Sequence, residues 1–364
     1  GFIHLYHLMM AVMFWFLFEM IDGINAKPGF RKFLFRISFS LSPLLLFKLF
    51  MVQTDSIHDR PVNPFGIFVY HSWWTSVFLP VKNNFINIPH HLIENMNMDW
   101  EGFVFVGWPS TLVCVGIVFI FLIRLIRKNF GQSFQIEINP SLKKSLLAAF
   151  ILLLFSMAYP FRGHMQFLLD WFPFIKQFRS LGRFAWPFYY IITVFSAVTL
   201  FQLAKKFSVK TKLAWLLIAI AVLSWALDAN RKTLTVSNSV RQNHFDKNIF
   251  QNSDYALALQ TAHVSVNDFQ CMLALPYFTL GSEEITAHTS IETDAMCAAD
   301  ALHLPLMNFL FGRSGYQQSM QEFQLFSDSL FAKDLLTQLP SSKPILIIKP
   351  TNDSIPNQYE NKLL

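Results

Sequence analysis

Charge is scarce in this chain: Asp, Glu, Lys and Arg make up 14% of its 364 residues, against roughly 25% in an ordinary soluble domain. That shortage argues against a water-soluble enzyme of this size. Cysteine is scarcer still, with three residues, too few for a disulfide scaffold or a zinc ribbon. No Gly-rich phosphate loop, Ser-His-Asp arrangement or internal repeat is present, which removes the commonest nucleotide-binding and hydrolase readings. Between residues 160 and 185 Asp170 is the only acid.

What fills the space is apolar. Hydrophobic residues reach 53%, and 41 of the residues are Phe. Six apolar segments follow one another near residues 1–20, 33–50, 103–123, 145–161, 186–204 and 213–229. The clearest, FVFVGWPSTLVCVGIVFIFLI, has no charge and is long enough to cross ~30 Å of hydrocarbon at ~1.5 Å per residue. The second is interrupted by Pro43, and its Arg36 and Lys48 are expected to reach outward from its ends. A single buried core helix could mimic one such segment but not six. The fold class expected is an α-helical polytopic membrane protein, with a transmembrane domain over 1–229.

Basic residues orient it. Loops 21–32, 124–144 and 205–212 together carry 12 Lys and Arg against 2 acids, so they are expected in the cytoplasm. Loops 51–102 and 160–185 and the segment 230–364 then face outward, in a bacterial inner membrane. The net charge of +6 thus reflects anchoring, and no nucleic-acid partner is expected. Loop 160–185 breaks the pattern with Arg162, Lys176, Arg179 and Arg183 on the outer side. A helix over 173–183 would place Lys176, Arg179 and Arg183 on one face. Converging there on an outer cavity, with Arg162, His4, His7 and Glu101 as walls, these residues are the expected substrate-binding set for an anionic phosphate. They could equally serve as anchors to lipid headgroups.

Segment 65–80 (FGIFVYHSWWTSVFLP) suits an interfacial helix or re-entrant turn. His90, His91, Asp99 and Glu101 lack the spacing of a metal site, so neither metal nor cofactor is expected. Segment 230–364 carries 13 acids and 9 bases and reads as an external α/β domain. Its expected elements are helices at Asp254–His263, Thr293–Phe309 and Tyr316–Gln338, with strands at Phe269–Leu275 and Pro344–Ile348. Cys271 and Cys297 could form a disulfide there or remain free thiols.

The segments GFIHLYHL, RPVNPFGIFVYHSWWTSVFLP, WEGFVFVG, FPFIKQFRSLGRFAWPFYY and LPYFTLGSE together resemble the C-terminal half of bacterial polytopic proteins of the GT-C glycosyltransferase superfamily, including the YfhO-like group. FRSLGRFAWP is the most specific of them. The resemblance implies an external site, a polyprenyl-phosphate sugar donor and an extracytoplasmic glycan or glycolipid acceptor. It also implies that Arg179 and Arg183 line the donor-phosphate site. The catalytic carboxylate of such proteins lies in the first external loop, which is expected upstream of this chain, so no catalytic residue carries over. The alternative is a membrane protein that binds or translocates a lipid-linked glycan without chemistry. Charged residues within the spans would favour it.

Overall fold

A computed structural model describes residues 5–64, 66–80, 101–127, 138–206, 211–241, 259–281, 283–284, 291–308, 314–328 and 330–349. Two compact units emerge. One comprises residues 1–54 and 65–238, the other 55–64 and 239–364. The division differs from a cut at 229 because the last long helix continues to Arg241 and because residues 55–64 associate with the C-terminal unit.

The first unit is a helical bundle. Its long helices are α1 (Leu5–Ala26), α2 (Phe30–Thr54), α4 (Trp108–Ile126), α5 (Pro140–Ser156), α7 (Trp186–Lys206) and α8 (Thr211–Arg241). Short helices α3 (Trp74–Phe78) and α6 (Leu168–Trp171) lie in the connections. Among the described residues, five long helices have the length and hydropathy to cross a membrane. The exception is α5, which has only 17 residues. It is also the central helix, packed on α1 and α7, with Ala148, Ala149, Leu152 and Leu153 fully buried. By contrast α2 and α4 turn many large apolar side chains outward, among them Phe35, Leu45, Leu112 and Phe119. Outward apolar faces are what a hydrocarbon solvent rewards.

Local sequence explains the helix starts. Asn139 caps α5 by accepting from the Ser141 amide at 2.9 Å, and Pro140 takes the first helical position, where no amide is needed. Pro109 takes the second position of α4, where again no amide is needed. At one end of the bundle Arg36 of α2 forms ion pairs with Glu19 at 2.5 Å and Asp22 at 2.6 Å on α1, and Lys144 of α5 also pairs with Asp22. Arg36 is therefore held by α1 carboxylates instead of reaching outward. Segment 66–80 holds the short helix α3 and packs into the core of the unit. Val77 is fully buried against Val104, Val106 and Phe188, while Ser72 and Ser76 are buried hydrogen-bonding residues.

In the second unit, β1 (Cys271–Ala274) and β4 (Ile345–Ile348) pair in parallel, with Cys271 opposite Ile345 and Ala274 opposite Ile348. A second pair joins β2 (Thr279–Leu280) to β3 (Glu283–Glu284) antiparallel. Helix α9 (Ile291–Leu302) supplies Ala298 and Leu302 to a core with Met272 and Leu304. The expected helix over Tyr316–Gln338 is two helices, α10 (Tyr316–Gln324) and α11 (Asp334–Gln338). The turn between them is held by Lys333, whose Nζ donates to the Gln324 and Ser327 carbonyls. Most of the helix expected at Asp254–His263 lies outside the described residues. Cys271 and Cys297 are free thiols, and burial raises the pKa of both.

Candidate functional site

The sequence motifs SLGR and WEGF meet in space through two glycines. A Cβ on Gly182 would lie 2.4 Å from Gly102 Cα, and one on Gly102 would lie 2.4 Å from the His71 carbonyl oxygen. No larger residue fits either position without moving backbone. Ser72 ties the junction together by donating to the carbonyls of Gly102 at 3.0 Å and Gly182 at 3.1 Å, with only one proton to share between them. The Gly182 amide donates to the Tyr70 carbonyl at 2.9 Å.

This close approach brings Glu101 against Arg183. The guanidinium forks onto the carboxylate, Nε to Oε2 at 2.5 Å and Nη2 to Oε1 at 2.7 Å. Ser180 Oγ donates to Oε2 at 2.8 Å, and the Ser180 amide donates to the Tyr6 hydroxyl at 2.9 Å. Arg183 lies 4.9 Å above the Tyr6 ring. The Glu101 side chain is 10% exposed, so the fork supplies a nearly desolvated carboxylate with the cation it requires.

Arg162 has neutral partners. It sits in the turn after α5, with its guanidinium 4.1 Å from the Trp73 ring centroid and Nη1 2.7 Å from His71 Nε2. Arginine can only donate, so Nε2 accepts and the ring proton belongs on Nδ1, which faces the Val69 carbonyl at 3.1 Å. The Arg162 residue remains exposed.

The basic residues of this loop do not share a helical face. Pro173–Gln177 and Leu181–Ala185 are separate 3₁₀ turns, and between them Ser180 bridges to Tyr70. The break lets Phe178, Leu181 and Phe184 enter one core cluster with Met10 and Leu152. Tertiary burial therefore overrides the i, i+3, i+7 spacing. Lys176 pairs with exposed Asp170 at 2.8 Å, and the Arg179 carbonyl lies where a Cβ on Gly66 would be 2.6 Å away. His7 stacks obliquely near Trp186, with 5.9 Å between ring centroids. His4, His90, His91 and Asp99 lie outside the described residues. Among the described residues no group of three His, Cys, Asp or Glu could hold a metal.

Just beyond the fork in sequence, Phe103 and Trp186 begin the walls of a cavity of about 650 Å³. Tyr189 and Trp225 add aromatic surface, with Asp228 and Lys232 of α8 alongside. Trp225 donates to the Val106 carbonyl at 3.4 Å, and its indole occupies the space a Cβ on Gly107 would need. Lys232 Nζ lies 5.4 Å from the Phe103 ring centroid. Asp228 is 8% exposed, within a helix that qualifies as a membrane span. The sequence reading took this stretch as the end of an apolar segment. An acid inside an 18-residue apolar window was the signal available.

The described residues define a mostly helical protein with a small C-terminal sheet and five helices long and apolar enough to cross a membrane. The chain belongs to the family described as Domain of unknown function (DUF6311), which matches residues 1–228. No curated protein matches the chain, and no solved structure matches it.

Proposed function

We propose that this chain is a multi-pass protein of the bacterial inner membrane that transfers a sugar from a polyprenyl-phosphate donor to an extracytoplasmic glycan or glycolipid acceptor. The carrying observation is the aromatic cavity beside Asp228. A sugar ring has apolar faces and a rim of hydroxyls. Trp186, Tyr189 and Trp225 suit the faces, while Asp228 and Lys232 offer an acceptor and a donor for the rim. In this reading the Lys/Arg-rich loops face the cytoplasm and residues 230–364 lie outside.

In the transfer, the acceptor hydroxyl oxygen bonds to the anomeric carbon as the carbon–oxygen bond to phosphate breaks. The phosphate leaves with the bonding pair, and the hydroxyl proton passes to a base. Arg162, with its charge opposed only by an imidazole and an indole in the contacts above, would attract the departing phosphate. Arg183 is a positioning residue, because Glu101 already neutralises it. No base is assigned.

A second reading, binding or translocation of a lipid-linked glycan without chemistry, draws on the Glu19, Asp22, Arg36 and Lys144 network, since charges within spans are frequent on transport paths. One experiment separates them. Full-length protein in vesicles is given labelled polyprenyl-phosphate sugar, and both retention and transfer are measured. Asp228→Asn and Trp225→Ala should each lower transfer by roughly tenfold or more, as expected for one lost charge-assisted contact or one lost ring contact. Retention without transfer by the wild type would favour the second reading. Wild-type transfer rates in both variants would remove the cavity from the reaction.

A further inference from the structure

A second cavity, of about 710 Å³, lies between α4, α7 and α8 and is almost wholly apolar. Its walls run from Phe195 to Leu203 on α7 and from Leu217 to Ser224 on α8. Each stretch rises ~10–12 Å at ~1.5 Å per residue. On α4 the lining runs farther, from Trp108 to Arg124, a rise of ~24 Å. The groove is therefore longer than one ~15 Å leaflet and shorter than a ~30 Å core, enough for one extended acyl chain. One end is bounded by two cations, Arg124 in the last turn of α4 and Lys143 in the first turn of α5. Their neighbours are already neutralised, since Lys144 and Arg36 pair with α1 carboxylates. Among the described residues, neither Arg124 nor Lys143 is in an ion pair.

We propose that this groove binds an anionic glycerophospholipid, with one acyl chain along α7 and α8 and its phosphate on Arg124 and Lys143. A neutral lipid would fill the apolar length but leave both cations without a counter-charge among the described residues. A helix of another chain would need to bring acids to that end. A phosphate at the head of an acyl chain satisfies both features, and arginine suits it through its fork of donors. The cationic end of the site, at Arg124, stands at the opposite end of α4 from Gly107 of the aromatic cavity. It depends on the helices spanning a membrane but not on sugar transfer.

The test uses the full chain exchanged into nanodiscs of equal phosphatidylcholine and phosphatidylglycerol, then released for native mass spectrometry. We expect one retained phosphatidylglycerol, at roughly tenfold preference, the scale of a charge-assisted contact. Arg124→Glu with Lys143→Glu should abolish the preference. Gly116→Phe should block the chain and lower retention of both lipids, and it should fold, because a Cβ at Gly116 meets nothing within 4 Å. Wild-type protein without preference overturns the proposal, as does preference that survives the double reversal. Protein that leaves the membrane in a carbonate wash overturns the spanning reading and this proposal together. Retained protein without lipid preference overturns this proposal alone.

Discussion

Two largely desolvated glutamates, one in each unit, solve the same problem in opposite ways. Glu101 in the helical unit is forked by Arg183 and receives Ser180 as well. Glu322 in the C-terminal unit is 6% exposed and receives a proton donor without charge, the Tyr277 hydroxyl at 2.7 Å. Burial dominates there and raises the pKa of Glu322 from an ordinary carboxyl value near 4.5. Tyr277 is raised as well, first by burial and then by the neighbouring carboxylate. A buried acid with an arginine becomes a rigid clamp between two chain segments. One with only uncharged donors, the Tyr277 phenol and the Gln318 side chain, becomes a group whose charge opposes the fold.

The largest expected effect comes from breaking the clamp on its cationic side. Arg183→Ala leaves Glu101 nearly desolvated without its cation, a loss of about 3–5 kcal/mol for a fully buried pair. The 28% exposure of Arg183 reduces this to roughly 2–4 kcal/mol, read from thermal unfolding in detergent. Glu101→Ala should cost less, because a partly exposed guanidinium can turn toward water. The double variant should fall well short of the sum of the two, which is the mark of a direct pair. Additive losses would mean the fork does not stabilise as a unit.

Arg162→Ala sharpens the contrast within the same loop. Its cation–π contact is worth about 0.5–1 kcal/mol at an exposed site, so unfolding should shift little. Binding of a phosphate-headed donor should nevertheless weaken about tenfold, and Arg162→Lys should not restore it fully. Equal donor binding by wild type and Arg162→Ala would leave Arg162 as an anchor.

Glu322→Gln tests the other acid through pH. Because the folded state raises this pKa, the native protein binds more protons than the unfolded chain once pH exceeds about 4.5. Stability of the C-terminal unit therefore falls as pH rises through that window, and the penalty is absent below it. Pulse proteolysis should find Glu322→Gln more resistant than wild type at pH 7 and similar at pH 4. The reverse order would mean the carboxylate is stabilised where it lies. Smallest of all, Lys176→Ala should change unfolding by less than about 0.5 kcal/mol, since its partner Asp170 is 72% exposed.

Much of the architecture is legible in the residue order. Continuous apolar runs have one economical arrangement, and each of the six expected segments holds a long helix among the described residues, although α4 starts only at Trp108, five residues into the 103–123 run, and α5 ends at Ser156. The parallel pairing of Cys271–Ala274 with Ile345–Ile348 follows two short apolar runs separated by helices. Charge spacing in loop 160–185 was a poorer guide, because Phe178, Leu181 and Phe184 had a stronger claim on the backbone than Lys176, Arg179 and Arg183 had on a common face.

What the sequence determined by itself is the local and the periodic: which stretches are helical, which are too apolar for water, and which loops carry positive charge. Those properties depend on composition and on neighbours three or four positions away. The tertiary structure alone decided which charges meet. Glu101 and Arg183 are 82 residues apart, and Asp22 and Lys144 are 122 apart. Ion pairing acts over a few ångströms, so only the folded packing of Gly182 on Gly102 and of α5 on α1 could select those partners.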